Sequence, residues 1–200
     1  MTKIESIEEL EALYDAVVPG AVDKVQASIS PMYEQWINAS QFLVLSTVGP
    51  LGTDASPRGD VGSVVKVMDA KTLLLPDWRG NNRLDSLRNI VEDGRVSLMF
   101  MVPGVNNVVR VNGTAILTTD EQITAQFSRG DKRPRSVVVV TVAEVYFQCA
   151  KALMRSRLWQ QDGERISVPT AGQFLREIKD DFDADAYDTG YEDYAKGRMW

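Results

Sequence analysis

The chain has 200 residues and a net charge of −6, with one cysteine, Cys149, and no histidine. That length suits one domain with a sizeable core, and the acidic balance argues against the concentrated basic surface that a nucleic-acid partner needs. One cysteine rules out an internal disulfide and a thiolate metal cluster, and the missing histidines remove histidine-dependent triads, histidine-ligated zinc and a proximal-histidine haem. No metal site is expected. No window approaches the ~18 consecutive apolar residues of a membrane span. Met1-Thr2-Lys3-Ile4-Glu5 lacks the apolar stretch of a signal peptide, so a cytoplasmic location is expected.

In chain order, Ser6 to Tyr14 reads as a helix, with Ser6 and Glu9 spaced as a capping box and Ile7, Leu10 and Leu13 as its apolar stripe. Ser30-Pro31 opens a second helix through Met32, Trp36 and Ile37. Both are expected to pack outside a following barrel. From Gln41 the pattern turns to strands: Phe42 to Val48, a return strand over the polar Asp54–Asp60 segment, Ser63 to Met68, and its hairpin partner Thr72 to Leu75. A helix over Asn82–Val91 follows, with Leu84, Leu87, Ile90 and Val91 as its apolar positions. Val96 to Val102, Val108 to Leu117 and Ser136 to Phe147 are strands. Asp120 to Phe127 is a short helix capped by Thr119 or Asp120. Ala150 to Trp159, a segment after Pro169-Thr170, and the tail with Tyr187, Tyr191 and Tyr194 are helical. Those three tyrosines have the spacing of a stripe that packs on the domain or on a partner subunit.

The expected fold is therefore mainly β with flanking helices, a six- or seven-stranded antiparallel barrel, closed or partly closed, rather than a doubly wound sheet. Residues 1–38 are expected to be N-terminal helices, 39–160 the barrel and 161–200 a C-terminal helical extension.

The corner at Pro76-Asp77-Trp78-Arg79-Gly80-Asn81-Asn82-Arg83-Leu84-Asp85-Ser86-Leu87 carries the strongest local signal. Asn81 or Asn82 can cap the following helix. Arg83 then falls in the first turn, where the helix dipole disfavours a cation. Free amides, a glycine and a cation together describe a phosphate seat. The same residues also fit an ordinary helix start with solvated arginines.

Three further patterns join this corner: Ser56-Pro57-Arg58-Gly59-Asp60, Arg110-Val111-Asn112-Gly113-x-Ala115, and Cys149-Ala150-Lys151-Ala152-Leu153-x-Arg155-Ser156-x-Leu158-Trp159. With Pro76-Asp77-x-x-Gly80-Asn81-Asn82-Arg83 they resemble the pyridoxamine 5′-phosphate oxidase-like proteins, the FMN-binding split β-barrels. Within these the chain is similar to a branch of FMN-dependent enzymes. The resemblance spans roughly residues 30 to 160.

It implies that Ser56 and Arg58 bind the cofactor, with Arg58 beside the flavin and its tail, that the backbone around Gly59 and Asp60 runs along the isoalloxazine edge, and that Pro76 and Asp77 contact the ring or ribityl chain. Asn81, Asn82 and Arg83 would hold the phosphate. It also implies a homodimer with FMN at the subunit interface, to which Lys151 and Arg155, with Ser156 and Trp159, would contribute from the partner. A solvated cationic helix face is the other reading of that segment.

FMN carries hydride chemistry at its own N5, so missing histidines are no obstacle. An oxidoreductase acting on a small molecule is expected, with its catalytic residues unassigned. A non-catalytic flavin carrier or redox sensor, or the deazaflavin F420 in the same barrel, stays open. Oxidation of pyridoxamine 5′-phosphate itself is not expected, because the arginine–histidine substrate motif of those oxidases is absent. Cys149 is expected to be a small buried residue at a helix start.

Overall fold

The structure is a computed structural model, and it describes residues 1–160 and 167–200. The expected beginning of the C-terminal extension at 161 lies outside the described residues. Seven strands form one antiparallel sheet: β1 (Phe42–Gly49), β2 (Gly52–Gly59), β3 (Lys66–Asp69), β4 (Thr72–Asp77), β5 (Arg95–Met101), β6 (Val108–Thr118) and β7 (Ser136–Gln148). Their spatial order is β2-β1-β5-β6-β7-β4-β3. Helices α1 (Ile7–Glu11), α2 (Pro19–Asp23), α3 (Pro31–Ala39), α4 (Asp85–Glu92), α5 (Glu121–Thr124), α6 (Lys151–Ser156), α7 (Ala171–Ile178) and α8 (Ala184–Lys196) flank it.

The strands form where apolar residues alternate. Leu43 and Leu45 pair with Phe100 and Leu98, and all four are fully buried, so one face of β1 and β5 is core. Val109, Val111, Val138, Val140, Val142 and Val145 extend that core across β6 and β7. Their β-branched side chains suit the pleated surface they cover.

Between Asn112 and Gly113 the β6–β7 register shifts, from Asn112↔Glu144 to Gly113↔Val142. The extra residue is Ala143 on β7, a β-bulge. Because β2 and β3 end the sheet on either side, the barrel is split. It is drawn together by a side-chain bridge, Arg58 Nη1 to Asp77 Oδ1 at 2.7 Å, which joins β2 to β4.

Several boundaries differ from the sequence expectation. β4 continues through Pro76, which pairs with Val137. β3 pairs only with Thr72 to Leu74, so the missing proline N–H falls where no strand lies on the outer side. β3 itself is shorter than Ser63–Met68, although Val64 and Val65 remain buried. α4 starts at Asp85 rather than Asn82 and buries Ser86 and Ile90, while Leu84 and Val91 of the expected stripe are exposed. α6 stops at Ser156 instead of reaching Trp159.

The expected packing of the N-terminal helices is seen in α3, which buries Tyr33 and Ile37. α1 and α2 bury no residue, and Ile7, Leu10 and Leu13 are exposed. Glu9 does not complete a capping box, because its carboxylate accepts from the Glu5 amide rather than from Ser6. Cys149 is exposed, not buried. No helix among the described residues is long and apolar enough to cross a membrane.

α7 and α8 form a helical pair. Thr170 caps α7 with a full capping box, and the Asp188 carboxylate accepts from the Thr170 hydroxyl and, at 2.9 Å, from the Gly172 amide. A Cβ on Gly172 would lie 2.5 Å from the Ala184 carbonyl oxygen, so glycine is what lets the two backbones meet. Asp188→Ala should cost this pair about 1 kcal/mol, the usual loss of an N-terminal cap. Faster amide exchange confined to residues 171–178 is the expected signature.

Candidate functional site

The ends of β2 and β4 and the corner after β4 enclose one pocket of about 820 Å³. That falls in the upper part of the ~300–1,000 Å³ range of small-molecule and cofactor sites. Ser56, Arg58, Gly59, Asp60, Pro76, Asp77, Asn81, Asn82 and Arg83 all line it, so nine of the expected residues meet in one place. Lys151 and Arg155 do not line the pocket of this chain. They lie exposed on α6, and Trp159 spends its indole N–H on the Val105 carbonyl at 2.9 Å.

The corner folds differently from a simple helix start. Asn81 Oδ1 accepts from the Arg83 amide at 3.0 Å, an Asx turn that uses the side chain expected to cap the helix. Asn82 and Leu84 then adopt left-handed backbone, at φ 60° and 63°. For asparagine this conformation is mild, whereas for leucine it costs on the order of 1 kcal/mol or more. Leu84 occupies the N-cap position and has no side-chain oxygen to offer, so α4 begins without a side-chain cap.

Arg83 precedes the helix rather than standing in its first turn. Its guanidinium is held at 2.8 Å by Asp85, the acid the helix dipole favours there. The expected conflict between Arg83 and the dipole is therefore absent. Gly80 has open space around it and no positive φ, so no close approach within the chain requires it.

α4 is fixed to the sheet through polar contacts. The Ser86 hydroxyl donates to Asp54 on β2, and Asn89 Nδ2 donates to Thr47 Oγ1 on β1 at 3.0 Å. Gly49 leaves room for the Asn89 side chain, because a Cβ at that position would overlap it. These contacts hold the uncapped helix start against the pocket.

The pocket's charges are nearly matched. Asp77 pairs with Arg58 and Asp85 with Arg83, while Asp60 is saturated. Its Oδ1 accepts from Arg129 Nη2 at 2.7 Å, from the Val61 amide at 2.7 Å and from Trp200 Nε1 at 3.2 Å. Its Oδ2 accepts from Trp78 Nε1 at 3.2 Å.

What remains unspent is donor capacity. Arg58 Nε is buried with no partner. An orphaned N–H of a cation is costly unless something accepts from it. Arg79 lines the same pocket and has no ion-pair partner among the described residues, and Arg135 reaches the corner through Asn82 Oδ1 at 3.3 Å. These residues suit an occupant rich in acceptor atoms and carrying negative charge. FMN, with its ring carbonyls and phosphate, fits that description.

Sequence reasoning passed over Trp78, Arg129, Arg135, Met199 and Trp200, and it assigned Tyr191 to packing. The arginine cluster at 129–135 was the one visible signal for two of them. Tyr191 and Met199 line the pocket.

Residues 29–149, more than half of the chain, match the family described as pyridoxamine 5′-phosphate oxidase. No curated protein matches the chain. Among solved structures it is similar to HupZ of Group A Streptococcus (21% identity, 58% of this chain and 91% of that one, TM-score 0.47). It is also similar to an FMN-binding protein of Syntrophomonas wolfei (16% identity, 57% and 82%, TM-score 0.44). A third is General Stress Protein 26 of Bacillus anthracis (15% identity, 56% and 88%, TM-score 0.43).

Proposed function

The chain belongs to the pyridoxamine 5′-phosphate oxidase family, and from that premise we propose that it binds FMN in the β2–β4 pocket and acts as an FMN-dependent oxidoreductase on a small molecule. The observation that carries the reading is the orphaned Arg58 Nε, buried in the wall of a pocket whose aspartates are already engaged. Arg58 would donate to the flavin ring system, with Ser56, Gly59 and Pro76 along the ring and ribityl chain. Asp77 would hold the Arg58 guanidinium in place. Asn81, Asn82 and Arg83 would grip the phosphate, with Arg79 and Arg135 adding positive charge.

Bound FMN would supply hydride transfer at N5, so the protein's part is to orient and to tune. The same reading takes the protein as a cytoplasmic homodimer in which Lys151 and Arg155 reach the partner's FMN. Light scattering of the purified protein at a monomer mass would exclude that arrangement. Lacking any histidine, the chain is proposed to act on something other than pyridoxamine 5′-phosphate. Hydrogen peroxide release on adding that compound would refute this.

A visible spectrum of the purified protein, followed by FMN titration, is the deciding experiment. No flavin band and no uptake would end the proposal, and mass spectrometry of the released molecule would separate FMN from F420. Arg83→Ala should weaken FMN more than tenfold, since a charge-assisted phosphate contact contributes ~1.5 kcal/mol or more. Unchanged affinity would place the phosphate elsewhere.

One observation favours a second reading, a flavin carrier or redox sensor. The pocket's carboxylates are all hydrogen-bonded, which leaves none of them unengaged for proton transfer. Bound flavin that reduced nicotinamides and small-molecule donors fail to reduce would support it.

A further inference from the structure

Asp60 lines the pocket, as the expected course of its backbone beside the cofactor requires, and its carboxylate is engaged by the protein. Its side chain is only 5% exposed and accepts from Arg129, Val61, Trp78 and Trp200. The Arg129 guanidinium lies 5.5 Å from the Trp78 ring centroid and 5.0 Å from that of Trp200, within cation–π range of both. These residues come from the end of β2, the end of β4, the segment after α5 and the segment after α8. They converge on Asp60, which lines the pocket together with its chain neighbours Arg58 and Gly59.

The consequence concerns the α7–α8 pair. Among the hydrogen bonds and ion pairs of the described residues, Trp200 to Asp60 is the one that ties residues 167–200 to the barrel. Those same residues supply Tyr191 and Met199 to the pocket lining. A wall held mainly at one point, on a pocket that is otherwise built chiefly from the sheet, the corner after β4 and α4, belongs to the low-stability end of the fold.

We propose that residues 184–200 are a latched wall of the pocket: Trp200, seated on Asp60 and Arg129, holds Tyr191 and Met199 in place, and release of that latch opens the pocket. Asp60, Arg129 and Trp200 are thus positioning residues. Extended to exchange of the bound molecule, the proposal rests on the FMN reading above.

The test uses the full chain with Trp200→Ala and Trp200→Phe. The phenylalanine keeps a ring for Arg129 and loses the N–H to Asp60, so its effects should fall between wild type and alanine. In Trp200→Ala, amide exchange over 184–196 should quicken at least tenfold. The pocket segment 75–87 should also exchange faster, and the unfolding midpoint of the barrel should hold. FMN release, followed by chase, should accelerate at least fivefold, and the fluorescence of bound flavin should change as Tyr191 and Met199 leave it.

Exchange over 184–196 at the wild-type rate would overturn the latch. Faster exchange with FMN leaving at the wild-type rate would overturn the opening of the pocket. Should wild-type protein take up no FMN, the flavin reading falls by itself. The wall is then judged by exchange in segments 184–196 and 75–87, where no change in either rejects it.

Discussion

Gly113→Val is expected to destabilise the fold by about 3 kcal/mol or more, at the upper end of overpacking effects in a well-packed interior. Gly113 stands on β6 at the register shift, opposite Val142, with Ala143 bulged out of β7. A Cβ there would fall on the Thr141 carbonyl oxygen, 3.1 Å from its carbon and 3.2 Å from the Ala143 nitrogen. These are backbone atoms of the neighbouring strand, so no rotamer change can make room. The bulge cannot slide away easily either. Asn112 Nδ2 is bonded to Glu144 Oε1 at 2.6 Å on one side of it, and Val111, Val142 and Val145 are buried around it. For a chain of this size the loss corresponds to a fall of roughly 6–12 °C in the unfolding midpoint. Urea denaturation at an unchanged slope measures it directly. A variant within 0.5 kcal/mol of wild type, roughly the scatter of neutral surface substitutions, would mean that the bulge relaxes freely. β7 carries β4 on its far side, so a displaced β7 should also reduce FMN uptake.

The sheet was legible because its cause is local. Leu43 and Leu45, or Val96, Leu98 and Phe100, alternate with half-buried neighbours, and a period of two needs no knowledge of the partner strand. Boundaries failed where the cause lies elsewhere in space. Pro76 looked like a stop, and only the short reach of β3 shows that its missing N–H has no strand to serve. The start of α4 failed for a different reason. Asn81 and Asn82 are good caps by residue type, but Asn81 spends its oxygen on an Asx turn, and an exposed leucine in left-handed backbone takes the cap position. No propensity predicts that choice.

The pocket divides the same way. Its β2 and β4 walls lie in two short stretches whose residues can be read in order. Arg129 meets Asp60 across 69 residues and Trp200 meets it across 140. Contacts of that separation leave no periodic trace. The inference about Arg83 was sound in placing it at the pocket and mistaken in its reason, since Asp85 and not a bare dipole faces it.

Asp77→Ala is the second variant with a large expected effect, about 3 kcal/mol of lost stability. The estimate turns on burial. Exposed pairs contribute roughly 0–1 kcal/mol, whereas removing one partner of a buried pair costs about 3–5 kcal/mol because the other charge is stranded. Arg58 and Asp77 are 21% and 14% exposed, and Arg58 Nε is already without an acceptor, so the guanidinium would lose its only partner among the described residues. The bridge also spans the split between β2 and β4, so its loss leaves the Trp78–Asp60 hydrogen bond as the side-chain tie described between the ends of those two strands. Arg58→Ala should cost less, because a neutral side chain leaves only Asp77 to resolve, at a strand end where Arg135 already approaches through its amide. The double variant should therefore be more stable than Asp77→Ala alone, the mark of a stranded charge rather than of lost packing.

FMN affinity separates the two residues further. Deleting Asp77 raises the pocket's net charge by one and should leave binding by the folded fraction within about threefold of wild type, or tighter, by Coulomb attraction alone. Deleting Arg58 removes the orphaned donor and should weaken it at least tenfold, the value of a charge-assisted hydrogen bond. If both variants bind FMN as well as wild type, Arg58 serves only to close the barrel, and the flavin ring lies along another wall.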